Sequence, residues 1–112
     1  MAAVANLFLD QGTTFTASVN VQDSAGNAFN LTGYSAYSQM RRSYSSTTAY
    51  NFTVTIADDP TTGVVNLSLP ANITSGITEG RYVYDVELVA SDSTVTRVIE
   101  GIITVLPEVT KI

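Results

Sequence analysis

The sequence has no cysteine, no histidine and no tryptophan, and its 112 residues include three prolines and five cationic side chains. Without cysteine there is no disulfide framework, no thiolate metal site and no cysteine nucleophile. Without histidine the commonest general base and metal ligand is also missing, which leaves carboxylates, hydroxyls and the lone lysine, Lys111, as candidates for chemistry. Lys111 lies at the end of the sequence, a poor place for a buried base. The cations Arg41, Arg42, Arg81, Arg97 and Lys111 face ten carboxylates, for a net charge of −5. Binding to a phosphate backbone needs a clustered basic patch, which Arg41 and Arg42 alone do not make, so nucleic acid is not expected as a direct partner. No apolar run has the length of a membrane span, and the opening MAAVANLFLDQG lacks the basic start and sustained apolar core of a signal peptide. The expectation is therefore no membrane partner, translation from Met1 in a cytoplasm, and no secretion by a signal peptide.

What is present is enough apolar material for one core. Apolar residues make up 45% of the sequence and charged residues 13%, a balance that favours a packed domain over disorder. One domain of this length buries roughly two-thirds of the surface its unfolded chain exposes. With so few charges, Ser, Thr, Asn and Gln must cover the surface, which suits an extracellular or particle-bound protein.

The period of the hydrophobic pattern is two almost throughout. From Gly80, residues Tyr82, Tyr84, Val86, Leu88 and Ala90 share one face while Val83, Asp85, Glu87 and Val89 take the other. A second arm runs from Val95 to Val105, and Ser91-Asp92-Ser93 between them is a turn, so Gly80 to Leu106 reads as a long hairpin. Upstream, Ala5 to Leu9 is a short strand, and Phe15, Ala17, Val19 and Val21 mark a half-buried one. After the turn at Asp23 to Asn27 the chain re-enters extended structure from Ala28 to Leu31, and Gly33 breaks it. Tyr34 to Arg42 alternates ambiguously. Either Tyr34, Ala36, Ser38 and Met40 or Ser35, Tyr37, Gln39 and Arg41 face inward, and the first choice buries fewer charges. Ser43 to Thr48 is a polar linker. Tyr50, Phe52, Val54 and Ile56 form one further strand, Asp58 to Gly63 a turn, and Val65, Leu67 and Leu69 the strand after it. Ala71 to Glu79 is a loop or a single helical turn. Turns every 8 to 12 residues and about seven strands predict an all-β sandwich or barrel in a single domain, 1–112.

The constellations that remain carry little chemistry. Asp85, Glu87 and Glu100 are the only carboxylates placed for a glycosidase-type pair, but Asp85 and Glu87 share the outward face, where pairing with Arg97 is the simpler reading. Asp58, Asp59 and Asp92 lie in loops with no calcium-loop spacing and read as turn formers. Four Asn-X-Ser/Thr triplets, beginning at Asn30, Asn51, Asn66 and Asn72, read as chance. Among the six tyrosines, Tyr82 and Tyr84 are assigned to core or rim. Tyr37, Tyr44 and Tyr50, with Arg41 and Arg42 beside them, are the candidate exposed contacts with a partner. No catalytic residue, no metal site and no cofactor are assigned, and an enzyme is not expected.

The order of segments resembles a known family. The apolar opening with Asp10-Gln11-Gly12, the run Phe29-Asn30-Leu31-Thr32-Gly33, Arg41, Gly63-Val64-Val65, Gly80-Arg81-Tyr82-Val83-Tyr84-Asp85-Val86-Glu87-Leu88, Arg97, Gly101 and Thr104-Val105 together resemble the immunoglobulin-like N-terminal domains of tailed-bacteriophage baseplate upper proteins. The resemblance implies a single immunoglobulin-like antiparallel β-sandwich, with Leu31 capping a core layer. It further implies a non-enzymatic structural component of a virion, joining neighbouring proteins of the tail or baseplate, with other virion proteins or repeated copies of itself as partners. Baseplate upper proteins continue into receptor-binding regions, whereas this sequence closes at Val105 to Ile112, which directs the expectation toward an adaptor. The alternatives are a decoration or cement protein on the capsid and a glycan-binding attachment module using Tyr37, Tyr44 and Tyr50.

Overall fold

The computed structural model describes residues 2–112. Nine strands form two sheets: β1 (Ala3–Val4), β2 (Leu7–Asp10), β3 (Phe15–Asn20), β4 (Ser35–Arg41), β5 (Tyr50–Asn51), β6 (Thr53–Ile56), β7 (Val64–Leu69), β8 (Gly80–Val89) and β9 (Val95–Leu106). The one α-helical turn among the described residues, α1 (Ala71–Thr74), lies where a loop or single turn was expected. One sheet has the order β1-β9-β8-β4-β5, with β2 also on β9, and the other has the order β3-β7-β6. Three central strands faced by β3-β7-β6, with the chain crossing between sheets after β2, β3, β5 and β7, are the topology of an immunoglobulin-like sandwich. The strand count reconciles with seven, because β1 and β2 are two halves of one edge and β5 and β6 two halves of one extended run.

Two departures from the expected pattern shape the molecule. Tyr50 to Ile56 is not one strand: β5 pairs with β4, and β6 pairs with β7 in the opposite sheet. Tyr50, Phe52, Val54 and Ile56 keep facing the interior through the crossing, so the same alternation serves both sheets. The edge made by β1 and β2 runs parallel to β9, so the first sheet is mixed and not purely antiparallel. The expected strand Ala5 to Leu9 is accordingly broken at Ala5 and Asn6. There Asn6 Oδ1 accepts the Ile102 N–H at 3.0 Å and Tyr84 Oη donates to the Ala5 carbonyl at 2.6 Å. Gly101 lies beneath this break, and a Cβ there would overlap the Ala5 carbonyl oxygen. The segment Ala28 to Leu31 is not a strand; a single bridge joins Gln22 and Ala28.

The core lies between the sheets. Tyr82, Tyr84, Val86 and Leu88 from β8, Ile99, Ile103 and Val105 from β9, and Met40 from β4 meet Phe15, Val19, Val65, Leu67 and Leu69 from the other sheet. For β4 the choice that buries fewer charges is the one adopted, with Ser38 and Met40 buried and Gln39 exposed. Ser38 is tolerated inside because its hydroxyl donates to the Asp85 carbonyl at 2.5 Å. Residues outside the strands complete the core: Val21, Phe52, Leu31, as expected, and Ile77, the last two essentially inaccessible. Each fully buried Leu, Ile or Met contributes about 1.5–3 kcal/mol of transfer free energy. A bulge in the β8–β9 ladder skips Val98, since Val86 pairs with Ile99 while Glu87 pairs with Arg97. The extra residue resets the phase of β9 and carries Arg97 onto the outer face beside Asp85.

Candidate functional site

Alternation along β4 places Tyr37, Gln39 and Arg41 on the outer face of the larger sheet, because Ala36, Ser38 and Met40 point to the core. The register with β8 sets Glu87 opposite Tyr37 and Asp85 opposite Gln39. Arg97, delivered by the bulge, donates from Nη1 to Glu100 Oε2 at 2.9 Å, and its Nε lies 3.5 Å from Asp85 Oδ2. The bond to Glu100, with the nearby carboxylate charges adding to it, holds the Arg97 guanidinium above its ordinary pKa. The expected outward face with Asp85, Glu87 and Arg97 is therefore present, and Asp85 pairs with Arg97 as expected.

Beside β4 the sheet switch opens a notch. β5 covers only Gln39 and Met40, and Phe52 N–H donates to the Ser38 carbonyl at 3.0 Å as the chain leaves for the other sheet. Strand alternation turns the Ala36 N–H and C=O to the same side, where no strand is paired. The resulting cavity, of about 770 Å³, has Tyr37 and Tyr44 on its rim, 60% and 76% exposed. Gln39, Asn51, Asp85 and Glu87 form its polar walls, and Phe52 and Val54 lie at its base. Gln39 Nε2 donates to Asn51 Oδ1 at 2.6 Å. Arg41 closes one end, donating to the Ser46 carbonyl at 2.6 Å and to Gln39 Oε1 at 3.0 Å, which fastens the Ser43–Thr48 linker to the strand.

The five expected contact residues are divided between two places. Tyr37, Arg41 and Tyr44 belong to the notch. Arg42, one residue on, faces the other way and lines a second cleft, of about 480 Å³, together with Tyr50. Tyr50 is not an exposed contact as expected but half-buried, its ring edge-on to Tyr82 with centroids 6.2 Å apart. Its position opposite Met40 puts it in the inward phase. Gln39, Asn51 and Ala36 were not singled out by sequence reasoning, and they enter the site only because β5 stops after two residues.

Two loop carboxylates are structural. Asp59 accepts from the Thr61 hydroxyl and N–H, which lowers its pKa, and Asp92 accepts from the Thr94 N–H with the same effect. Both carboxylates fold back onto their own turns, as the turn-forming reading had it. Among the described residues no three His, Cys, Asp or Glu side chains are grouped to hold a metal ion. Among the described residues no helix is long and apolar enough to cross a membrane.

No family model matches the sequence, and no curated protein matches it at a significant level. Among solved structures, the chain is similar to one from the structural basis of T cell specificity and activation by the bacterial superantigen toxic shock syndrome toxin-1. The TM-score is 0.50 and the identity 13%, covering 90% of this chain and 92% of that one. It is also similar to an internalin-like protein of Listeria monocytogenes (TM-score 0.47, 16% identity, 94% of this chain and 28% of that one). A third likeness is to the filamin domain of Lin-41 (TM-score 0.40, 17% identity, 81% of each chain). At such identities the first likeness speaks to the sandwich fold alone.

Proposed function

We propose that this chain is a non-enzymatic protein-binding module that joins neighbouring proteins in a bacteriophage particle, at the tail or baseplate. The resemblance of its segment order to baseplate upper proteins supports the setting. The binding mode rests on one observation, the notch beside β4. Two tyrosines more than half exposed stand over a stretch of strand edge whose Ala36 backbone groups face no paired strand. An extended segment of a partner would add main-chain hydrogen bonds at Ala36, while Tyr37 and Tyr44 supply rigid, amphipathic contact area and Asp85, Glu87 and Arg41 set the register. Cross-linking and mass spectrometry on intact particles and on separated heads and tails test both parts. The expected result is recovery in the tail fraction with cross-links at the Ser43–Thr48 linker. Recovery in the heads moves the module to the capsid surface, and absence from both fractions refutes a virion role.

A further inference from the structure

We infer that the second cleft, at Arg42, is a binding site for a carboxylate-bearing monosaccharide of the uronic or sialic acid class. The inference concerns a different surface from the notch and stands independently of the proposed partner.

The guanidinium of Arg42 is fixed in place without being neutralised. It lies over the Tyr82 ring, with Cζ 5.1 Å from the centroid, and Nη1 donates to the Glu79 carbonyl at 3.1 Å. On its other flank is Gly80, whose missing side chain leaves the space: a Cβ there would run into Nη1 and Nη2 of Arg42. Gly80 also has a φ of 131°, a backbone conformation open to glycine and strained for other residues. Ring, glycine and carbonyl together position the group, while the residue stays exposed to solvent. Among the described residues the ion pairs are those of Arg97 with Asp85 and Glu100, and no carboxylate lies within 4 Å of Arg42. In a protein of net charge −5, with ten carboxylates available, a clamped guanidinium with unused donors is preorganised for an anion from outside.

The rest of the lining selects the kind of anion. Around Arg42 the cleft presents Thr47, Thr48, Thr78 and Tyr50. Their hydroxyls make no hydrogen bond among those of the described residues, whereas the Tyr82 hydroxyl is already committed to the Thr78 carbonyl at 2.7 Å. An acidic side chain offers its carboxylate and a hydrocarbon stem, which would leave these hydroxyls without partners. A sugar ring matches the lining better: its carboxylate meets the guanidinium in a two-pronged contact, its hydroxyls meet the threonines, and its C–H face meets the Tyr50 ring. At about 480 Å³ the cleft is within the size range of small-ligand sites. Its open, shallow form points to millimolar affinity.

The test is a titration of the isotope-labelled full chain by amide NMR, with N-acetylneuraminic acid and glucuronic acid as probes and glucose, acetate and the peptide Gly-Glu-Gly as controls. The expected result is saturable shifts at Thr47, Thr48 and Thr78, with the acidic sugars binding at least tenfold more tightly than any control. Arg42→Gln should weaken the acidic sugars at least tenfold and leave the spectrum otherwise folded, and Arg42→Lys should restore part of the loss. Equal binding of glucose, equal binding of acetate or Gly-Glu-Gly, indifference to Arg42→Gln, or no shifts up to 20 mM of probe (about the top of a millimolar range) would each overturn the inference. An equal response to the peptide would reassign the cleft to an acidic protein partner.

Discussion

Tyr84 → Phe, measured across alkaline pH, probes the contact that ties the two halves of the edge strand to the core. The Tyr84 ring is buried and its hydroxyl donates to the Ala5 carbonyl at 2.6 Å. Burial pushes its pKa from 10.0 up to about 12. A folded-state pKa above the unfolded value means that the contribution is complete below pH 10 and is lost as pH rises through 12. For a shift of about two units, the loss at pH 11.5 is about 2 kcal/mol. Urea unfolding followed by far-ultraviolet circular dichroism at pH 8 and pH 11.5 gives the stability change for wild type and variant. Wild type should lose about 2 kcal/mol more than Tyr84→Phe over this interval, since every other titrating group is shared. At pH 8 the variant should itself be less stable by about 1 kcal/mol, because the Ala5 carbonyl loses its donor. Equal losses in the two proteins would show that the hydroxyl is solvated and that the N-terminal edge does not depend on it.

Three further outcomes follow from the packing. Gly101→Ala places a Cβ on the Ala5 carbonyl oxygen, so the domain should lose about 1–3 kcal/mol, seen as a lowered melting temperature together with faster amide exchange at Ile102, whose N–H is held by Asn6. Met40→Ala removes a fully buried side chain from the core face of β4 and should cost about 2–5 kcal/mol in urea unfolding; a smaller value would mean that the core repacks around β4. Tyr37→Ala and Tyr44→Ala, both at exposed positions, should leave the melting temperature within about 2 °C of wild type while reducing cross-linking to the partner at the notch, and unchanged cross-linking would remove the tyrosines from the interface.

The elements that period two could reveal are those whose two faces differ chemically. The hairpin of β8 and β9 was legible because Tyr82, Tyr84, Val86 and Leu88 alternate with Asp85 and Glu87. β4 was legible because one of its two faces would have buried Arg41. The sheet switch was not, since Tyr50, Phe52, Val54 and Ile56 remain inward on both sides of it and alternation carries no information about which sheet a residue faces from. Nor was the parallel pairing of β1 and β2: strands of two and four residues fit either direction equally. Ile77 was missed because an isolated apolar residue in a loop has no period to betray it. Of the site, the exposure of Tyr37 and Tyr44 was legible, while the notch itself was not, because it is made by the absence of a strand beside Ala36.

The same ambiguity explains why Arg41 and Arg42, adjacent in sequence, are separate in space. Arg41 is the last residue of β4 and still obeys its alternation, so it takes the outer face and reaches back to Gln39. Arg42 is the first residue past the strand and turns to the rim, where Tyr82 and Gly80 receive it. The linker that follows serves both: its Ser46 carbonyl accepts Arg41 at the notch, and Ser46, Thr47 and Thr48 line the cleft of Arg42. Hydroxyl side chains suit such a linker because they satisfy its backbone locally, as Ser46 does by accepting the Ser43 N–H at 3.1 Å, without drawing either guanidinium into an ion pair. A carboxylate in Ser43 to Thr48 would pair with one arginine and close a cleft. The polar, uncharged composition of that segment thus leaves Arg41 and Arg42 without an ion pair among the described residues.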